Sequence, residues 1–224
     1  MIFSDRREAG ERLAQRLLHL SDRDPVILAL PRGGVPIGLE IAQALSAPLD
    51  LLLVRKIGAP GQPELAIGAV VDGERLDFVV NEDIVHALGL SEDFIKERAV
   101  AQVAEIERRR SLYLGDRDRV RVRGRTIIVA DDGIATGATV RAALRGIRQR
   151  DPGHLVLAVP VAPAAVIDDL REEVDEVVCL ETPYPFGAIG WFYRDFDQVS
   201  DDEVRAMMDQ AGTEHESAIS PRDG

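Results

Sequence analysis

Cysteine is almost absent from this chain: Cys179 stands alone, so no internal disulfide can form. It lies in the apolar run Val177-Val178-Cys179-Leu180, a setting for a packed core thiol rather than a nucleophile. Basic residues are outnumbered, with 27 Lys and Arg against 39 Asp and Glu and a net charge of −12. That balance argues against a nucleic-acid surface, which needs clustered cations. No apolar run approaches the roughly 20 residues that span a bilayer. The first residues include Asp5, Glu8 and Glu11, unlike the basic and then apolar start of a signal peptide. A cytoplasmic protein with no membrane or nucleic-acid partner is the expectation. Signature motifs are missing too. There is no Gly-x-x-x-x-Gly-Lys-Ser/Thr, no Gly-x-Gly-x-x-Gly after a strand, no His-Glu-x-x-His and no Gly-x-Ser-x-Gly. P-loop, dinucleotide, zinc-hydrolase and serine-hydrolase chemistry therefore lack their residues. His19, His86, His154 and His215 are scattered without ligand spacing.

What is present reads as alternating strands and helices. The 224 residues are 46% hydrophobic and 29% charged, as expected of one globular domain with an elaboration. Asp5 and Glu8 form a capping pair ahead of Ala9, Leu13, Leu17 and Leu20 at helical spacing. Strands are expected at 26–30, 49–54, 66–71, 78–81, 127–130, 155–161 and 176–181. Between them lie helices from about Pro36 to Leu45, Glu82 to Leu88, Ser91 to Leu114, along the Val140-Ala143-Leu144-Ile147 stripe, and from Pro163 to about Val174. A Gly/Pro-rich link, Ile57 to Pro63, is expected to be mobile. Ser200 with Glu203 caps a last helix, and residues beyond Gly212 are expected to fray. Such alternation implies an α/β fold, a mostly parallel sheet flanked by helices, with ligands beyond the carboxyl ends of the strands.

One segment concentrates chemistry. Thr126-Ile127-Ile128-Val129-Ala130 is a buried strand, Asp131-Asp132 follow, and Gly133 to Thr139 form a small-residue loop opening a helix. Gly133 and Gly137 let the backbone approach a ligand. Thr136 and Thr139 add hydroxyls, and the first amides of a helix favour an anion. The two carboxylates would repel a bare phosphate, so a sugar phosphate or a cation-bound ligand fits better.

The stretch Val129 to Thr139 resembles the 5-phosphoribosyl 1-pyrophosphate (PRPP) signature of type I phosphoribosyltransferases. The resemblance implies that Asp131 and Asp132 take the ribose hydroxyls and help hold Mg²⁺, and that Gly133, Ala135, Thr136, Gly137, Ala138 and Thr139 cradle the 5′-phosphate. It implies the type I phosphoribosyltransferase fold over residues 1–211, with an inserted lid or hood at about 57–119 and a disordered tail at 212–224.

Two further strand ends join this segment. Leu30-Pro31-Arg32-Gly33-Gly34 offers two glycines and a fixed cation. It resembles the family's pyrophosphate loop, so Arg32, Gly33 and Gly34 become candidate substrate contacts. Val54-Arg55-Lys56 is similar to the start of the mobile loop in purine-type members, which makes Arg55 and Lys56 candidate catalytic cations. The run Arg108-Arg109-Arg110 reads as a solvated helix face.

Two departures stand out. Members acting on 6-oxopurines carry an acid where this chain has Ala135, and Glu64 is the only carboxylate in the corresponding loop. The stretch 72–119 is longer than that loop usually is. Although aromatic residues make up only 4% of the chain, Tyr184, Phe186, Trp191, Phe192, Tyr193 and Phe196 crowd one segment. They fit either a pocket for a flat heterocycle or a wrap that completes the core. The expected activity is Mg²⁺-dependent transfer from PRPP to a nitrogenous, nucleobase-like acceptor with release of pyrophosphate. The alternatives are a non-catalytic PRPP or nucleotide sensor, and transfer or hydrolysis of another ribosyl phosphate. A homo-oligomer stays open.

Overall fold

Strand and helix alternate because the apolar residues switch between two-residue and helical spacing along the chain. The computed structural model describes residues 2–72 and 77–219, apart from the side chains at 63, 64 and 214–219. The elements run α1 (Arg6–Leu17), β1 (Pro25–Ala29), α2 (Gly34–Leu45), β2 (Leu49–Leu51), β3 (Val54–Ala59), β4 (Gln62–Val71), β5 (Asp77–Val80) and α3 (Glu82–Ala87). They continue with α4 (Glu92–Leu114), β6 (Thr126–Ala130), α5 (Ala138–Arg148), β7 (His154–Val161), α6 (Ala164–Leu170), β8 (Glu176–Glu181) and α7 (Asp201–Ile219). Local chemistry starts several helices. Asp5 accepts from the Glu8 amide at 2.8 Å, and Ser91 accepts from the Phe94 amide at 3.2 Å.

Five strands form a parallel sheet in the order β2-β1-β6-β7-β8. The central strands are buried on both faces, as their continuous Val/Ile/Leu runs require. Val26, Leu28, Ile127, Val129, Leu155 and Leu157 face one way, against α5 and α6. Ile27, Ile128, Ala130, Val156 and Ala158 face the other way, against α1 and α2. Truncating a buried contact such as Leu144 of α5 to Ala typically costs about 2–5 kcal/mol.

The region between β2 and β6 departs from the sequence expectation. The strand expected at 49–54 is two strands in different sheets. Leu52 still donates to Ala29 O at 2.9 Å, after which Val54 begins an antiparallel pairing with Val71. The link from Ile57 to Pro63, expected as a mobile loop, is the hairpin of β3 and β4, turning at Gly61 with φ 70°. Pairing with a later stretch of chain decided this, and local composition does not report it. With β5, these strands make a three-stranded antiparallel sheet that packs with α4 and α7 around Ile57, Ile67, Ile106 and Met208.

Buried charges join the two sheets. Arg110 of α4 bonds Asp72 at 3.0 Å and Asp50 at 3.4 Å, and Arg119 bonds Asp72 at 3.0 Å. Arg150 reaches Asp77 and donates to Asp72 O at 2.7 Å. Burial raises the Asp72 pKa from its ordinary value, and the Arg110 and Arg119 charges oppose that rise. The run Arg108-Arg109-Arg110 is therefore not a uniformly solvated face, since Arg110 falls on the buried stripe of Ala99, Ile106 and Tyr113. α6 ends at Leu170, short of the expected Val174, and α7 continues past Gly212 to Ile219.

Candidate functional site

Topology alone places a crevice between β1 and β6. The chain leaves β1 through α2 towards β2 on one side, and leaves β6 through α5 towards β7 on the other. The two loops at this switch point are free to diverge, which is where open α/β sheets bind ligands. Here they touch first at their bases. Leu30 donates to Ala130 O at 2.9 Å. A Cβ on Gly34 would lie 2.6 Å from Ala130 O and 3.0 Å from Asp131 Cα, so only glycine lets the loops meet. A Cβ on Gly33 would fall 2.0 Å from Asp132 Oδ2. Both glycines thus make room for the acidic loop. The Pro31–Arg32 peptide between them and β1 is cis.

The loop after β6 carries its own backbone requirements. Gly137, immediately before α5, has φ 77°, a conformation that L side chains rarely adopt, and a Cβ there would meet Val166 at 2.9 Å. Ala135, Thr136, Ala138 and Thr139 are exposed around the start of α5. Helix-start amides, two hydroxyls and an open approach are the ingredients of an anion cradle.

The acidic pair divides. Asp131 lines a cavity of about 180 Å³ together with Pro31, Arg55, Arg109 and Thr139. Its Oδ1 accepts from the Asp132 amide at 2.9 Å. The Asp132 carboxylate instead turns towards the N-terminal helix, accepting from Arg6 Nε at 2.7 Å, with both side chains 12% exposed. Arg6 is held in place in turn, stacking 3.9 Å over the Phe196 ring and donating to Asp197 O at 2.8 Å. The Tyr193 hydroxyl donates to Asp132 O at 2.6 Å. Burial, and then the Asp132 charge, pushes the Asp131 carboxyl well above the usual carboxylate range. Burial raises Asp132 as well, with Arg6 opposing.

The cations also separate. Arg55 lines the cavity and donates from Nε to Gln102 of α4 at 3.2 Å. Lys56, the next residue of an extended strand, is exposed and does not line the cavity. Neither residue ends a strand, because both lie inside β3. Arg32 reaches Asp201 at the start of α7 at 3.4 Å, and the Tyr113 hydroxyl donates to the same carboxylate oxygen at 2.7 Å. Arg109, which sequence reading left in solvent, sits in the cavity wall. The run itself carried no signal for it: residues about 100° apart on a helix must diverge, but Asp50 and Asp72, distant in sequence, decide that Arg110 turns inwards and so where Arg109 falls. The Glu64 side chain lies outside the described residues.

The C-terminal aromatic segment also splits. Tyr193 is buried, stacks on Phe196 at 4.9 Å and lies 5.4 Å from Phe3, closing the core over α1. Phe192 stacks on Phe186 at 5.3 Å and packs against the same core. Tyr184 and Trp191 are 98% and 71% exposed and take no part in that wrap.

A model of the phosphoribosyl transferase domain matches residues 5–193, most of the chain and all of this crevice. The chain belongs to the phosphoribosyl transferase family. Two relatives from Mycobacterium tuberculosis strains, each named "Putative phosphoribosyl transferase", are 47% identical over 94% of this chain. The match covers 47% of their own length, so this chain spans about half of each. The crystal structure of TT1426 from Thermus thermophilus superposes with TM-score 0.81 at 40% identity, covering 93% of this chain and 98% of that one. The five-stranded parallel sheet with helices on both faces is the type I phosphoribosyltransferase fold.

Proposed function

We propose that this domain transfers the 5-phosphoribosyl group of Mg²⁺-bound PRPP to a ring nitrogen of a nucleobase-like acceptor in the cytoplasm, releasing pyrophosphate. One observation carries the reading: the loops after β1 and β6 meet at the switch point, and Asp131, Thr139, Pro31 and Arg55 surround one cavity there.

The residues divide the substrate by its chemistry. The start of α5, with Thr136, Gly137, Ala138 and Thr139, suits the 5′-phosphate. Asp131 faces the cavity and accepts ribose hydroxyls, while Asp132, held by Arg6, fixes the base of the loop. The Gly33 and Gly34 backbone and the Arg32 and Arg55 guanidinium groups suit pyrophosphate. In the reaction the acceptor nitrogen forms a bond to C1 as the C1–O bond breaks. The electron pair leaves on pyrophosphate, and the acceptor's proton passes to solvent. Positive charge builds on the ribose and negative charge on the leaving group, so fixed carboxylates and cations favour the transition state over the ground state.

The donor chemistry fits Mg²⁺. The carboxylates of Asp131 and Asp132 are hard oxygen donors, and burial leaves Asp131 short of compensating positive charge. Among the described residues no group of three or more His, Cys, Asp or Glu is placed to hold a metal ion, so substrate oxygens and water would supply most ligands, with Asp131 in reach of the cavity. When bound, the ion neutralises pyrophosphate charge. Ala135 provides no general base, consistent with an acceptor unlike a 6-oxopurine.

The test is pyrophosphate release from PRPP and Mg²⁺ across a panel of purine and pyrimidine bases. Base-dependent release supports transfer. PRPP binding without release for any base points to a sensor, and absence of PRPP binding removes both readings.

A further inference from the structure

Three consecutive arginines on α4 point in three directions, as residues about 100° apart on a helix must. Arg110 is buried against Asp50 and Asp72. Arg108 is exposed and pairs with Glu105 at 2.8 Å. Arg109 is half-buried and lines the cavity that holds Asp131, Arg55 and Thr139.

Its setting is that of a prepared anion contact. Arg109 Nε donates to Glu105 Oε1 at 2.7 Å, and its two terminal nitrogens have no partner among the described residues. Arg55 is arranged in the same way, bonded through Nε to Gln102 further towards the start of the same helix. Each guanidinium is therefore oriented by α4 while its outer fork stays available, the geometry suited to phosphoryl oxygens. The charge of Arg109 also extends to the Arg32 side of the crevice. The Tyr113 hydroxyl, then Arg32 and Arg109, hold the Asp201 carboxyl below its ordinary value. In a chain with net charge −12, two cations in the wall of one small cavity, with Arg32 next in sequence to Pro31 of that wall, mark where an anion is expected.

We infer that Arg109 is a substrate-binding residue that contacts the pyrophosphate portion of Mg²⁺-PRPP together with Arg32 and Arg55. The helix α4 thereby completes the anion site rather than only roofing it. Glu105 is a positioning residue that orients Arg109. The inference rests on the function proposed above.

The experiment is calorimetric titration of the whole chain with inorganic pyrophosphate plus Mg²⁺ and, separately, with ribose 5-phosphate. The proteins compared are wild type, Arg109→Gln, Arg109→Lys and Arg108→Gln, each checked for an unchanged melting temperature. Loss of a charge-assisted contact predicts at least about a tenfold weaker pyrophosphate affinity in Arg109→Gln. Ribose 5-phosphate affinity should change by less than about twofold in that variant, with partial recovery in Arg109→Lys and no change in Arg108→Gln. Unchanged pyrophosphate binding in a folded Arg109→Gln protein overturns the inference while leaving the proposed function standing. Equal losses in Arg108→Gln and Arg109→Gln also overturn it, because a general field would then explain the effect. If Arg109→Gln does not fold, Arg109→Lys decides: its charge without the planar fork should cost pyrophosphate affinity selectively, and wild-type affinity there refutes the assignment. A wild-type protein that binds neither ligand brings down the inference and the functional reading together.

Discussion

Replacing Gly34 with Ala sets two effects of opposite sign against each other. Gly34 is the first residue of α2, so an alanine there gains at most the roughly 0.8–1.0 kcal/mol by which alanine is favoured over glycine in a helix interior. Against this, the new Cβ would lie 2.6 Å from Ala130 O and 3.0 Å from Asp131 Cα. Both are backbone atoms at the end of a central strand and cannot swing aside as a side chain would. Relief requires the loops after β1 and β6 to separate, and overpacking of this kind typically costs about 1–3 kcal/mol. The clash should win, for a net loss of roughly 1–2 kcal/mol and a fall in Tm of about 2–8 °C for a chain of this size. Gly212→Ala is the matched comparison. The atoms nearest its Cβ would be those of the Arg117 guanidinium, at 3.3 Å, the far end of a long side chain that bonds Met208 O and Asp209 at 2.7 Å and needs to give by only a few tenths of an ångström. Helix propensity should prevail there, and Tm should hold or rise by about 2–4 °C. Scanning calorimetry measures both variants. Titration with ribose 5-phosphate should show weaker binding in Gly34→Ala alone, because its displaced backbone carries Asp131. A Gly34→Ala protein that melts at or above the wild-type temperature and binds the sugar phosphate normally would refute the packing argument.

Three other outcomes follow from the same geometry. Asp131→Asn should weaken PRPP binding with little change in Tm, whereas Asp132→Asn should lower stability by about 1–3 kcal/mol in denaturant titration, because Arg6 loses its charged partner; the reverse pattern would contradict the division of the pair. Arg55→Ala should reduce the maximal rate by at least about tenfold, consistent with loss of a transition-state donor, while Lys56→Ala should change it far less because Lys56 stands on the exposed side of β3; equal losses in steady-state assays would overturn that split. Burial pushes the Cys179 thiol from 9.0 up to about 11, so iodoacetamide at about pH 8 should label it slowly in the native protein and rapidly in urea. Because the folded value lies above the unfolded one, its contribution to stability is complete below pH 9.0 and is lost as pH rises through about 11. Rapid native labelling would show the thiol to be accessible and ionised.

Much of this protein is local, and local physics is legible in sequence. The capping residues Asp5, Ser91 and Ser200, the aliphatic runs of β1, β6 and β7, and the strand-to-glycine junctions at Pro31–Gly34 and Asp131–Thr139 all depend on neighbours a few residues away. Strand–helix alternation sufficed to expect a parallel sheet with its ligand loops at the carboxyl ends. Tertiary structure decided what depends on distant partners. Val54–Ala59 joins a second sheet because Val71 lies across from Val54, which no local signal reports. Asp131 and Asp132, adjacent and chemically identical, part company because Arg6 from α1 reaches only the second. Arg108, Arg109 and Arg110 are equivalent as letters, yet helix phase, Asp50, Asp72 and the cavity wall send them to solvent, site and core. Sequence sets which groups a chain carries and their local conformational preferences. Which group a buried charge meets is set by packing, because desolvation gives a buried charge strong preferences that only a particular fold can satisfy.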